Sequence, residues 1–322
     1  MGHMKNILYL LIIAFVMSPV TSVKAINAVA SIKATSGDVR IQRLKRNIPG
    51  RRGLILNDRD VVITGFNART TILFRDGSEI RLFQNSRFTI EKTEEMKGEQ
   101  RGFINNFLLK AGSFWGKFTK NRQRTRISTP TATCGIKGTS VSFSEKDGKL
   151  DVSLSTGLIE LYNEDEKLML PAGKMIKGIE RSGTFKEKIQ DLPYRLVIAP
   201  DNRKIDIPTV GNTGKIDFTI QVTNVQSKQN VSRPVDLFFS LRSDKIIFPK
   251  TVRLNDRGYA RVTATIKPFQ KADYGNGKIE IEVLAEGEKA MDIGTGQTLL
   301  TFDVPKKHQK IIRIDAGSGQ IN

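Results

Sequence analysis

The sequence predicts an all-β chain built as two modules behind a cleavable leader, and three observations carry that expectation. Most of the chain is a succession of short segments rich in Val, Ile, Thr and Phe, in which apolar and polar residues alternate with the period of half-buried strands. Gly, Asn and Asp interrupt them at turn spacing, and no long amphipathic helix appears. With 322 residues the chain is long enough for about two domains of ordinary size.

Ile7 to Met17 is an uninterrupted apolar run after Lys5, followed by Pro19 and a small-residue stretch that ends Val23-Lys24-Ala25. That order reads as a secretory signal peptide over residues 1–25, because crossing a bilayer as a helix takes about 18 to 20 apolar residues. The leader holds no cysteine to acylate, so the mature chain is expected to be exported to the periplasm or cell surface of a bacterium, with no membrane span after cleavage.

The first module spans residues 26–182. Its predicted strands include Val39 to Ile41, Asp60 to Thr64, Thr70 to Phe74, Glu79 to Phe83, Arg87 to Glu91, Ser113 to Thr119, Thr125 to Ser128, Ser140 to Ser144, Leu150 to Leu154 and Leu158 to Tyr162. Asp76-Gly77, Asp147-Gly148 and Thr156-Gly157 supply residues that accept positive φ where tight reversals need them. Glu94 to Leu109 reads instead as a short helix or longer loop, from the spacing of Met96, Phe103, Ile104, Phe107 and Leu108.

A charged stretch closing on Leu192-Pro193 reads as a linker over residues 183–193. Beyond it, seven short strands in residues 194–304 fit an immunoglobulin-like β-sandwich by spacing alone. Residues 305–322 read as a flexible tail.

Charge sorts the candidate partners. Lys and Arg total 52 against 33 Asp and Glu; removing Lys5 and Lys24 with the leader leaves 50 − 33, or +17. Residues 26–182 hold 28 basic and 17 acidic residues (+11), and residues 183–322 hold 22 and 16 (+6), which makes the first module the expected contact for a polyanion. Lys110, Lys117, Lys120, Arg122, Arg124 and Arg126 form an acid-free segment interleaved with Phe114, Trp115 and Phe118. Cations beside aromatic rings are the composition that grips anions and stacks on sugars or bases. As an extended strand the segment sets Phe114 and Phe118 on one face and Trp115 with Lys117 on the other, so Trp115 is expected to be exposed. A core strand ending in a solvated turn would carry the same residues. Arg40, Arg43, Lys45, Arg46, Arg51 and Arg52 make a second basic cluster in an early loop. Nucleic acid suits an exported protein poorly, so envelope proteins or an anionic glycan are the better partners.

Catalytic chemistry finds little material. The single cysteine, Cys134, cannot form an internal disulfide and reads as a buried small residue, and His3 and His308 are the only histidines. Gly-x-Ser-x-Gly, Walker and His-Glu-x-x-His patterns are absent. Asp147-Gly148-Lys149 and Asn57-Asp58-Arg59-Asp60 hold too few oxygen ligands for calcium and read as solvated turns. No cofactor, metal or enzymatic activity is expected.

Six segments in fixed order carry a family likeness: Asp58 to Gly65, Thr71 to Leu82 with its Asp76-Gly77-Ser78 turn, Leu109 to Ser113, Ile127 to Ala132 with Thr129-Pro130, Ile136 to Thr139 with Gly138-Thr139, and Ser155 to Ile159. That series resembles the FecR-type domain over roughly residues 32–178. The resemblance implies an extracytoplasmic β-solenoid or β-roll module that senses or holds a partner without catalysis, with Asp76, Gly77, Ser78, Thr129, Pro130, Gly138 and Thr139 as structural motif positions. The family's signalling members place a cytoplasmic segment ahead of a transmembrane helix. Only a few residues precede the leader here, so a sensor lacking its cytoplasmic arm ranks below two other readings. The first is a scaffold within an envelope machine or filament sheath, and the second is a basic module for peptidoglycan or lipopolysaccharide. Val252 to Val262 loosely resembles a hairpin of bacterial immunoglobulin-like domains.

Overall fold

The computed structural model describes residues 28–96, 102–119, 124–241, 243–270, 277–287 and 290–302. The predicted leader (1–25), the predicted tail (305–322), Lys120 and Arg122 lie outside the described residues. The chain is all-β. The first fifteen strands are β1 (Ala28–Ser36), β2 (Val39–Arg43), β3 (Arg46–Pro49), β4 (Ile55–Asn57), β5 (Val61–Thr64), β6 (Arg69–Phe74), β7 (Glu79–Leu82), β8 (Arg87–Met96), β9 (Gly102–Lys117), β10 (Arg124–Ser128), β11 (Thr133–Lys146), β12 (Lys149–Tyr162), β13 (Lys167–Pro171), β14 (Lys174–Ile179) and β15 (Ile189–Asp191). They join one sheet whose main path runs β15-β14-β12-β11-β10-β9-β7-β6-β1-β4, with β2, β3, β5, β8 and β13 branching from it.

Alternation dictates these strands. In β10, Thr125 and Ile127 are buried while Arg124 and Arg126 are exposed, the pattern of a sheet with one face on a core. That core is bridged by a chain of rings: Phe74 lies 4.8 Å from Phe107, Phe107 5.3 Å from Phe88, Phe88 5.7 Å from Phe114, and Phe114 5.0 Å from Phe143.

One strand organises the module. β9 pairs with β8 as far as Ala111 and with β7 from Phe114 onward, changing neighbours at Gly112. Gly112 has φ +91, and a Cβ there would sit 2.4 Å from both the Cα and the Oγ of Ser86. Only glycine permits that crossing.

Three expectations are corrected. Within Glu94 to Leu109 the described residues, 94–96 and 102–109, are neither helix nor loop: they are strand residues of the β8–β9 pair, with Glu94 opposite Ile104. Their apolar spacing imitates a helix, but pairing across the hairpin decides the outcome. Thr156-Gly157 does not reverse the chain; Gly157 lies inside β12, opposite a register shift that begins after Lys137 in β11. The predicted linker is itself structured. Phe185 is buried in the first core, and β15 pairs with β14.

The remaining strands are β16 (Tyr194–Pro200), β17 (Gly214–Asn224), β18 (Asp236–Leu241), β19 (Ile246–Ile247), β20 (Val252–Arg253), β21 (Tyr259–Ile266), β22 (Lys278–Ala285), β23 (Ile293–Gly294) and β24 (Gly296–Thr301). They form two sheets, ordered β19-β21-β17-β16-β23 and β20-β18-β22-β24. Phe218, Ile220 and Val262 from the first sheet and Ile281, Val283 and Leu300 from the second share one apolar core, so the sheets pack face to face.

Candidate functional site

The basic segment found in the sequence divides between two places. Lys110, Arg124 and Arg126 are exposed on the outer face of the first module, whereas Trp115 and Lys117 enter a seam between the modules. The expectation that Trp115 is exposed is therefore corrected: it retains 1% of its accessible surface. Period two does place it opposite Phe114 and Phe118, but the face it occupies is covered by β18 and β22. Phe83, Trp115 and Leu284 are buried together with Phe238 packed on them, and the Trp115 and Phe238 rings meet edge to face at 6.5 Å.

Charge closes the seam around that cluster. Arg81 of β7 ion-pairs with Glu286 and hydrogen-bonds to it through Nε, donates through Nη1 to Thr71 Oγ1 at 2.8 Å, and lies 3.9 Å from the Phe238 ring centroid. Arg69 supplies a second, longer contact to Glu286 at 3.8 Å. Burial lowers the Arg81 pKa from its ordinary value, and the charge and hydrogen bond of Glu286 oppose that shift.

Lys117 of β9 approaches Glu282 at 2.8 Å and Glu280 at 3.3 Å. The Glu282 side chain is wholly buried, so this ion pair lies inside the seam. Burial pulls the Lys117 pKa down; the charges and hydrogen bonding of Glu282 and Glu280 outweigh it and leave the pKa raised. Glu79 joins the modules too: Lys33 donates to its Oε2 at 3.2 Å and Ser240 of β18 donates to the same oxygen at 3.1 Å. Further along, the Thr295 amide donates to Ser155 Oγ at 3.1 Å.

Sequence reasoning missed Arg81, Glu79, Glu282, Glu286 and Phe238. Their signal is present in retrospect: Glu79 and Arg81 alternate with Ile80 and Leu82, Glu280 and Glu282 alternate with Ile279 and Ile281, and each pair reads as a solvated face until the other covers it.

The outer face keeps the remaining cations of the segment. In the parallel β10–β9 pair Arg124 sits opposite Ile104 and Arg126 opposite Asn106; in the β10–β11 pair Arg126 sits opposite Gly135. Of the early basic cluster, Arg40 pairs with Asp38 and Arg43 with the buried Asp60, both within 2.8 Å.

The family-motif positions shape turns and crossings. Asp76 accepts the Ser78 amide at 2.7 Å across Gly77 (φ +81), closing the β6–β7 turn, and it also accepts the Asn105 side-chain amide at 2.7 Å. Thr129 Oγ1 accepts the Thr131 and Ala132 amides at 3.1 and 3.0 Å, which turns the chain past the exposed Pro130 into β11. Gly138 (φ +65) lies in the register shift of β11, and the carbonyl of Thr139 accepts the Phe118 amide at 2.8 Å.

Cys134 is fully buried, and that burial pushes its thiol pKa well above the ordinary value. Among the described residues no three His, Cys, Asp or Glu side chains gather as metal ligands, and no helix is long and apolar enough to cross a membrane. An open depression of about 430 Å³ lies at Asp201, Lys215, Asp217 and Thr263, where Thr263 and Arg261 already engage Asp217.

These features define an all-β protein whose first module joins a second through a buried, charged seam. Residues 60–160 match the family described as FecR protein, so that stretch of the first module is similar to this family. Two crystal structures of a candidate anti-sigma factor from Parabacteroides distasonis ATCC 8503 are similar at 13% identity and a TM-score of 0.34, over 41% of this chain. The chain spans 59% of the length of those proteins. No curated protein matches it.

Proposed function

We propose that the protein is a non-enzymatic, exported scaffold of the bacterial cell envelope that holds a partner within a larger assembly, with an immunoglobulin-like sandwich as its second module. The single observation that carries this reading is the seam. Arg81, Lys117, Glu282 and Glu286 bury opposite charges between the modules, so the two behave as one body in which reorientation would strand charges in an apolar setting. A fixed two-module body suits holding rather than hinge-driven catalysis. Export rests on the leader of residues 1–25. Fractionation of native cells with mass measurement of the amino terminus tests it: a processed chain in the envelope fraction, crosslinked to a defined protein, is expected. An unprocessed cytosolic chain overturns it.

A second reading, binding of an anionic envelope glycan such as peptidoglycan or lipopolysaccharide, draws on the exposed Lys110, Arg124 and Arg126. Burial of Phe114, Trp115 and Phe118 removes the stacking platform that reading would use. Salt-sensitive cosedimentation with purified polymer, lost when Arg124 and Arg126 are neutralised, is its test.

A further inference from the structure

The outer face of β9 through β13 carries a feature that the seam does not explain. Arg124 and Arg126 stand on β10, and Lys137 on β11 follows Ile136, the register partner of Thr125. Lys110 continues the outward row of Asn106 and Leu108 on β9. All four cations are exposed, and none has an acidic partner among the described residues. Two acids of this face pair with other lysines, Glu94 with Lys92 at 2.5 Å and Glu160 with Lys167 at 2.7 Å. Beside the cations lie two large apolar side chains, Leu158 at 45% and Met169 at 48% exposure. Leu158 opposes Pro171 and Glu160 opposes Met169, which makes Leu158 and Met169 diagonal neighbours on one face.

We propose that this face, centred on Arg124, Arg126, Lys137, Leu158 and Met169, is the docking surface for an acidic, partly apolar segment of a partner protein. Charge complementarity selects an anion, because the excess cations have no internal carboxylates to satisfy them. The apolar pair selects protein over glycan, since exposed aliphatic side chains beside charges match the mixed composition of protein interfaces and offer a sugar no ring to stack on. The inference rests on the scaffold reading and locates its contact.

The test titrates the purified full chain with a random copolymer of glutamate and tyrosine, and separately with polygalacturonate, which carries carboxylates without apolar side chains. Circular dichroism checks that each variant is folded. The copolymer is expected to bind, to weaken about tenfold for Arg124→Glu/Arg126→Glu/Lys137→Glu, and to weaken several-fold for Leu158→Ser/Met169→Ser, which leaves polygalacturonate binding unchanged. Equal affinity for both polymers with no effect of the Leu158 and Met169 changes overturns the proposal in favour of a glycan. Copolymer binding that survives charge reversal overturns it by placing the contact elsewhere. In native cells, a photo-crosslinking residue at Met169 should join an acid-rich protein segment, while one at the exposed Leu44 should not. Protein adducts formed only from positions off this face overturn the docking surface and leave the scaffold reading standing; no protein adduct from any position overturns both.

Discussion

The guanidinium of Arg81 lies 3.9 Å from the ring centroid of Phe238, with the carboxylate of Glu286 paired to it. The contact joins β7 of the first module to β18 of the second, and both members of the ion pair are about nine-tenths buried. Removing one partner of such a pair strands the other. Arg81→Ala should therefore cost about 3–5 kcal/mol in denaturant unfolding, whereas Arg81→Met with Glu286→Leu should recover most of that loss.

Trp115 is the only tryptophan, so its emission reports the seam alone. Native protein should emit at short wavelength. Phe238→Ala with Leu284→Ala should shift that emission to the red while far-ultraviolet dichroism stays all-β, since the main core of the first module lies elsewhere. An unshifted spectrum would place the indole outside the seam.

Gly112→Ala tests the crossing of β9. The new methyl would meet Ser86 at 2.4 Å in a backbone conformation that side chains rarely adopt, and a loss of about 2–4 kcal/mol in thermal or denaturant unfolding is expected.

Legibility in the sequence followed the range of the forces involved. Period-two alternation and the Asp76-Gly77 and Asp147-Gly148 turns are local, and they located strands and hairpins correctly. Thr156-Gly157 offered the same turn chemistry but met an unbroken strand, because the bulge that needs its φ of +86 is set by the neighbouring β11. Trp115 was assigned to the correct side of its strand and the wrong environment, since alternation names a face without saying what lies against it. Glu282 and Arg81 read as surface residues for the same reason, their partners being contributed by a distant stretch of chain.

Cys134 should resist modification. Its thiol is buried and held protonated, so a maleimide or disulfide reagent at pH 8 should react with native protein orders of magnitude more slowly than with unfolded chain. Rapid labelling of native protein would contradict the burial.

Alkaline titration should loosen the seam. The Lys117 pKa is raised in the folded chain, so its contribution is complete below the ordinary lysine value of about 10.4 and disappears as pH rises through the raised one. A reversible red shift of Trp115 emission above about pH 10.5 is expected, and Lys117→Met should abolish that step.

The partners Arg81 and Glu286 are 205 positions apart in the chain. A polypeptide made from its amino end completes the β7 surface long before β22 follows to cover it. During that interval the newborn first half carries a naked indole and an unanswered guanidinium, a transient sticky patch that a chaperone is suited to shield, and that vanishes once the second half docks.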